Sequence, residues 1–320
     1  MEYYKSPVVY AVKHKDENIR ALSRSGGIFT ALSDYILKKS GTVYGCVLNE
    51  KFEAVHIRAV NSEQRDLMRG SKYIQSNLLD TYSRVKQDLD NDIWVLFSGT
   101  SCQVAGLISF LGKEYEKLLT VDIICHGVPS NKVWHDYIKW NEKKCDSRCK
   151  SVDFRNKKDY GWNSHVETLL FENGKQVDSQ IFKNLFYGHE ILRPSCYKCP
   201  YKSVIHPANI SIGDYWGIDN ACPGFNDNKG VSLVLINNDS GKEWFENVVQ
   251  DINCKPCRIE DSMQTPLKSP FNAPDDRDKF WTDYREKTFD YIAKKYGTIT
   301  FMTRVKENYP WKKVILQGLL

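Results

Sequence analysis

The chain has 320 residues, 41% of them hydrophobic and 12% aromatic, enough to bury a core as one large domain or two ordinary ones. Its 45 basic and 40 acidic residues are interleaved, so a net charge of +5 builds no stripe of the kind that binds nucleic acid. No run reaches the roughly 18 apolar residues of a membrane span. The start, Met1 to Pro7, lacks the apolar segment of a signal peptide, so a cytoplasmic protein is expected.

In chain order, Val8–Val12 reads as a strand. Ile28, Phe29, Leu32, Tyr35 and Ile36 then recur at helical spacing up to a stop at Gly41. Thr42–Leu48 and Phe52–Val60 predict a β-hairpin, with Val55, Ile57 and Ala59 facing inward and His56 and Arg58 facing water. A helix-rich stretch from Ser62 to Asp90 is broken at Gly70–Tyr73. Ile93–Phe97 (strand), Cys102–Leu111 (helix), Leu118–Cys125 (strand) and Asn131–Lys143 (helix) follow. That alternation argues for a parallel, right-handed α/β unit.

Past Lys144 the pattern changes. Val152–Phe154 and His165–Phe171 read as strands, with Glu172–Lys175 as a hairpin turn. Val231–Ile236 reads as a further strand, Lys242–Asp251 as a helix and Asp275–Lys295 as a polar helical tail. Lys183–Lys229 is mostly turn signals and cysteines, and long irregular segments inside a compact domain are usually functional. The expected class is α/β, with α+β character in the second half. The expected regions are an α/β region over 1–144, a mixed sheet with a cysteine loop over 145–274, and a helical tail over 275–320.

Ten cysteines in a reducing compartment read as metal ligands, reactive thiols or buried hydrophobes rather than disulfides. Cys102 follows one strand of the parallel unit and opens a helix, while Cys125 ends the next strand. Carboxyl ends of neighbouring parallel strands share one edge, where ligands bind, and a helix start favours a thiolate. Cys196-Tyr197-Lys198-Cys199-Pro200 adds a close pair, so Cys102, Cys125, Cys196 and Cys199 make the four thiolates of a 4Fe–4S cluster. A competing arrangement is a zinc site of Cys196 and Cys199 with Cys254 and Cys257, although the gap between those pairs is long for a zinc module. Cys46 reads as a buried hydrophobe, and Lys255-Pro256 as a turn between Cys254 and Cys257. Cys145, Cys149 and Cys222 have no evident partner.

Several turns suit an anionic cofactor. Ser25-Gly26-Gly27 precedes the first long helix, where free backbone N–H groups bind phosphate. Gly99 and Thr100 stand before the Cys102 helix, with Gln103 in its first turn. Ser71, Lys72, Tyr73 and Gln75 offer a cation and a stacking ring, and Lys229, Gly230 and Ser232 form a similar turn. None matches a dinucleotide or phosphate-loop fingerprint. Asp214 in Ile212–Ile218 is placed to hydrogen-bond a planar cofactor, and His126 beside Cys125 to move a proton.

These segments together, Leu22–Leu32, Arg69–Ser76, Ser98–Leu107, Asp122–Ser130, Leu192–Cys199 and Ile210–Gly217, resemble the coenzyme F420 hydrogenase/dehydrogenase beta-subunit family. The resemblance implies a noncovalent FAD held in the N-terminal region and a 4Fe–4S cluster on Cys102, Cys125, Cys196 and Cys199. It implies electron exchange between a two-electron carrier, such as a deazaflavin or a small-molecule substrate, and one-electron iron–sulfur partners such as a ferredoxin. The slight basic excess suits docking of such an acidic protein. Relatives occur among bacterial polysaccharide-biosynthesis genes, so a sugar substrate is compatible with the same redox chemistry. Many relatives carry an N-terminal ferredoxin segment; this chain is expected to lack it and to draw on a separate electron partner. The rival expectation is a zinc-stabilised scaffold without turnover.

Overall fold

The computed structural model describes residues 2–298. Its strands are β1 (Val8–His14), β2 (Thr42–Leu48), β3 (Ala54–Ala59), β4 (Val95–Thr100), β5 (Leu118–Ile123) and β6 (Cys149–Asp153). They continue as β7 (Glu167–Phe171), β8 (Gln176–Ser179), β9 (Ile210–Asp214), β10 (Ser232–Ile236) and β11 (Ile252–Cys257). Eight of them form one mixed sheet in the order β11-β1-β10-β9-β5-β4-β2-β3. β2, β4, β5 and β9 run parallel, and the flanking pairs are antiparallel. β6, β7 and β8 make a small antiparallel sheet of their own. The large sheet draws strands from both sides of residue 144.

The expected α/β class and parallel unit are present. Residues 95–145 supply β4, the helix Ser101–Leu111, β5 and the helix Asn131–Cys145. Alternation separates two cores: Val234 and Ile236 of β10 join one, Leu233 and Leu235 the other. A third, aromatic core gathers Trp134, Tyr137, Phe154, Phe171, Phe182, Phe186 and Phe280 between the small sheet and its helices. The tail helices Arg277–Glu286 and Phe289–Lys295 fold back on it, with Trp140 and Phe289 ring centroids 5.7 Å apart. The rest of the expected tail, 299–320, lies outside the described residues.

Three local readings change. His56 does not face water: it is 4% exposed, with Nε2 3.0 Å from Ser98 O and Nδ1 2.7 Å from Ser76 Oγ. The segment around Asn77 pairs along the free edge of β3, opposite Val55, which brings Ser76 onto the ring, while Phe97 stacks against it at 5.5 Å. Burial pushes the His56 pKa down to about 4. Lys255-Pro256 is not a turn but part of β11, a sheet edge, where a residue without an N–H is tolerated. Ile210–Asp214 is a strand too, hidden in the sequence by the glycine- and aromatic-rich run that follows it.

Two contacts tie these layers together. Glu167 is 1% exposed, and its carboxylate accepts from Phe182 N at 2.8 Å and Lys183 N at 3.4 Å. It thereby caps the helix Ile181–Tyr187, which has no side-chain cap of its own. Gly26 is wedged between β1 and β10: its N–H donates to Ser232 Oγ at 2.9 Å and its carbonyl accepts from His14 N at 2.7 Å.

Burial raises the Glu167 pKa to about 7. The folded state then holds a proton that the unfolded state has released between its ordinary pKa and about 7, so the Glu167 contribution to stability falls as pH rises across that window. The buried histidines, held neutral at low pH, contribute the opposite slope below about pH 6.5, so the expectation is read as a difference. The urea-unfolding free energy of wild type minus that of Glu167→Gln should fall from pH 5 to 7, approaching about 1.4 kcal/mol per pH unit. Parallel pH profiles of the two proteins would mean that Glu167 ionises normally. A second expectation concerns Gly26, where an added Cβ would stand 2.0 Å from Val12 O and 2.6 Å from Ser232 N. Both neighbours are backbone and cannot swing away, so Gly26→Ala should cost on the order of 3 kcal/mol or more. Gly70→Ala, which meets nothing within 4 Å, should cost only the left-handed penalty of about 1–2 kcal/mol. Equal urea midpoints for the two variants would refute the wedge.

Candidate functional site

β4 and β5 run parallel and end side by side, Thr100 opposite Ile123. The residues just beyond those ends are Cys102, in the first turn of the helix Ser101–Leu111, and Cys125. Thr100 and Gln103 form a capping box there, fixing the turn that presents Cys102 outward. The 3₁₀ turn Pro194–Lys198 brings Cys196 and Cys199 to the same place. Cys125 is within electrostatic reach of Cys196 and Cys102, and Cys196 of Cys199 and Cys102. All four expected thiols therefore occupy one neighbourhood. Two sulfurs have further partners: Val128 N–H donates to Cys196 Sγ at 3.4 Å, and Thr100 Oγ1 lies 3.1 Å from Cys102 Sγ.

Lys202, 6% exposed, sits among them and donates to the carbonyls of Cys125 and His126 at 2.6 and 2.7 Å. Burial lowers its pKa, opposed by Cys125, Cys199 and Cys196. The same burial pushes the Cys125 thiol up to about 12. Among the described residues, no three His, Cys, Asp or Glu side chains converge as ligands of a single metal ion. A cubane cluster spreads four thiolates over four irons, a wider ring than one ion needs. The donor set of four thiols, one amide N–H and a buried ammonium fits that wider group. The zinc alternative loses its geometry, because β11 turns Cys254 toward one core and Cys257 toward the core on the opposite face of the sheet. Their sulfurs cannot close on one ion with Cys196 and Cys199.

From Cys125 a run of rings leads inward. His126 meets Tyr187 edge-on at 4.7 Å and lies against Phe271 at 4.2 Å, with its Nε2 2.8 Å from His189 Nε2. Such a short contact between two ring nitrogens requires one to donate and the other to accept. Burial, then the neighbouring His189 and Lys202, pushes the His126 pKa down to about 3. Tyr187 hydroxyl lies 3.3 Å from His165 Nδ1, and His165 packs against Tyr73 at 5.0 Å. Tyr73 hydroxyl accepts from Arg155 Nη1 at 3.4 Å, and the same Nη1 donates to Asp214 Oδ2 at 2.6 Å. Trp162 Nε1 donates to Asp214 Oδ1 at 2.9 Å and its ring stacks on Trp216 at 5.1 Å. Arg24 closes the run, donating to the carbonyls of Arg155 and Trp162 at 2.9 and 2.5 Å.

Arg24 leads directly into Ser25-Gly26-Gly27. Ser25 Oγ donates to Val231 O at 2.6 Å, and Gly230 takes φ +103° because a Cβ there would strike Ser25 O at 2.7 Å. Ser25, Gly26, Gly27, Gly230 and Ser232 are thus one cradle. The segment holding Ser71, Lys72, Tyr73 and Gln75 joins the turn of Gly99, Thr100 and Gln103 through Gln103 Nε2, which donates to Ser76 Oγ at 3.0 Å. Gln75 is fixed through Asn131. Two expected phosphate cations are engaged elsewhere. Lys72 Nζ donates to Arg69 O at 2.8 Å and Leu67 O at 3.0 Å, and Lys229 is exposed beside Glu17 at 3.1 Å.

The residues that bridge the two ends, Arg24, Arg155, Trp162, His165, Tyr187, His189 and Lys202, were not singled out by the sequence. Arg155–Trp162 carried a visible signal: a loop dense in cations and aromatics beside a strand.

The family model for the C-terminal part of the coenzyme F420 hydrogenase/dehydrogenase beta chain matches residues 93–261, just over half of this protein. Among solved structures, one from Methanosarcina barkeri, titled as a xenon derivatization of the F420-reducing [NiFe] hydrogenase complex, superposes with a TM-score of 0.54 at 20% identity. The superposition covers 79% of this chain and 82% of that one, and at this identity it speaks for the fold alone. No curated protein matches. The described helices include none long and apolar enough to cross a membrane. The matched span contains β4, β5, β9, β10 and all four clustered cysteines, and by that match the chain belongs to the coenzyme F420 hydrogenase/dehydrogenase beta-subunit family of oxidoreductase subunits.

Proposed function

We propose that this chain is a cytoplasmic electron-transfer oxidoreductase or subunit that uses FAD and one 4Fe–4S cluster, with Cys102, Cys125, Cys196 and Cys199 as cluster ligands. The observation that carries this reading is the gathering of those four thiols, from three separate segments, with Lys202 beside Cys125, Cys196 and Cys199, at the carboxyl edge of a parallel sheet. The flavin is assigned to the cradle of Ser25, Gly26, Gly27, Gly230 and Ser232, with Tyr73, Gln75 and the Gly99–Gln103 turn as further contacts. When bound, FAD would exchange electron pairs with a deazaflavin or another small-molecule substrate, and the cluster would exchange single electrons with a ferredoxin-like partner. A role in polysaccharide biosynthesis rests on the family resemblance alone.

The chain's own contributions follow from position and field. Val128 N–H and the Lys202 ammonium favour negative charge on the thiols. Thr100 and Gln103 hold the first turn that carries Cys102. His126 and His189 share one proton between facing ring nitrogens, and Phe271 against both rings keeps water from their faces. Asp214 holds Arg155 and Trp162 in place between the cradle and the ring chain.

Protein purified without oxygen is expected to show flavin bands on a broad iron–sulfur shoulder, both bleached by dithionite. Serine at each of Cys102, Cys125, Cys196 and Cys199 should remove most of the iron while leaving flavin content near wild type. Serine at Cys254 or Cys257 should leave the iron in place. A colourless protein holding zinc and no iron, even after anaerobic reconstitution with iron, sulfide and FAD, would overturn the assignment and favour the scaffold.

A further inference from the structure

Around Arg24 the described residues bury more positive charge than they neutralise. The side chains of Arg24, Arg155 and Asp214 are 10%, 4% and 10% exposed. Lys157 is half-buried in the same field, its pKa lowered to about 8 by burial and then by Arg24 and Arg20. Two guanidiniums and an ammonium thus face one buried carboxylate, because Arg20 is taken by its own pair with Asp227. Asp153, the next acid, is exposed. Buried charge without a counter-ion is costly.

Donors are left over as well. Arg24 Nε is buried with no hydrogen-bond acceptor, the nearest carboxylate oxygen being Asp214 Oδ2 at 3.9 Å. Lys157 Nζ gives two of its three protons to the carbonyls of Arg20 and Ser23, at 2.7 and 2.8 Å. Tyr73 hydroxyl accepts from Arg155, which leaves its own proton to donate. Three residues past Arg24 the helix Ile28–Lys38 begins at Gly27, with no side-chain cap and no acid in its first turn.

We infer that Arg24, Lys157 and Tyr73, backed by Arg155, form a binding site for a phosphate group of a bound ligand. The surplus of two charges matches a phosphate dianion better than a single carboxylate. The inference goes beyond the oxidoreductase reading, since it stands on this charge excess whether or not the cysteines hold a cluster. It also reassigns the phosphate contact from Lys72, whose titratable neighbour is Cys46 rather than the Arg24 group, and from Lys229, which pairs with Glu17 at the surface. The group has two chemical sources, the diphosphate of a dinucleotide cofactor or a phosphorylated substrate.

The test is isothermal titration of the full chain, freed of any bound flavin, with inorganic pyrophosphate at fixed ionic strength, beside a thermal-shift series with pyrophosphate against chloride. Wild type is expected to bind pyrophosphate and gain thermal stability beyond the chloride control. Arg24→Gln and Lys157→Gln should each weaken binding at least tenfold, while Lys72→Gln and Lys229→Gln stay within twofold. Because Arg24 also ties two loops, the wild-type titration and Lys157→Gln decide the matter if Arg24→Gln does not fold. FAD and riboflavin separate the sources. Loss of FAD but not riboflavin affinity in the variants assigns the site to the cofactor diphosphate, whereas unchanged FAD affinity with weakened pyrophosphate assigns it to a substrate phosphate. Absence of pyrophosphate binding by wild type, or variants that bind it within twofold of wild type, would overturn the inference. A chain that binds pyrophosphate but takes up no iron would sink the cluster and leave the phosphate site standing.

Discussion

Asp214 ends β9 with one carboxylate oxygen 2.6 Å from Arg155 Nη1 and the other 2.9 Å from Trp162 Nε1. Arg155 and Trp162 come from the connection between β6 and β7, so this contact joins the small sheet to the large one. Arg24 is locked onto the same loop through the carbonyls of both residues, which places Ser25-Gly26-Gly27 against β10. An Arg–Asp pair this deep gives weak net stability when intact, yet losing one partner leaves a naked buried charge and costs about 3–5 kcal/mol. The pair acts as a register pin between the cradle, the ring chain and the small sheet.

Much of this was legible in the sequence where period and position coincide. The hairpin of β2 and β3 and the β–helix–β–helix run from Val95 to Cys145 follow from alternation and helical spacing. The meeting of Cys102 with Cys125 follows from parallel topology. The inward turn of His56 was not legible, because alternation predicts which residues share a face but not whether a distant segment will cover that face. The same limit hid the fate of Lys72. A lysine in a glycine turn reads as a free cation, and only the fold shows it donating to Leu67 and Arg69 carbonyls. Arg24 and Arg155 stand 131 residues apart in the chain and meet through a side chain and a carbonyl, a contact with no local signature.

The two ends of the site differ in character. Around the cysteines, burial holds the His126 imidazole neutral and pushes the Cys125 thiol up. Around Arg24, burial has the opposite sign of demand, leaving cations that want an anion. Between them stand His126, Tyr187, His165 and Tyr73, rings whose centroids are 4.7–5.3 Å apart. A path of close aromatic contacts excludes water while holding two sites of unlike charge at a set separation. An aliphatic filling would exclude water equally well but would supply no polar contact along the path such as that between Tyr187 and His165.

The same preference for direction over bulk explains how the Cys196–Cys199 loop keeps its place. One face of β5 carries Leu119 and Val121 into an apolar core, while the other carries Thr120 and Asp122, both fully buried. The segment that covers the polar face is the continuation of the cysteine loop. Lys202 binds the carbonyls of Cys125 and His126, His206 Nδ1 stands 2.8 Å from Asp122, and Asn209 Oδ1 accepts from Thr120 N and Oγ1 at 2.8 and 2.7 Å. Apolar packing would let such a loop slide by fractions of an ångström at little cost, since burial is nearly indifferent to direction. Hydrogen bonds to buried groups are not indifferent, because each broken one strands a polar atom away from water. Three such anchors in eight residues tie the chain that follows Cys196 and Cys199 to the end of β5 that leads into Cys125, the constraint that the proposed cluster would require.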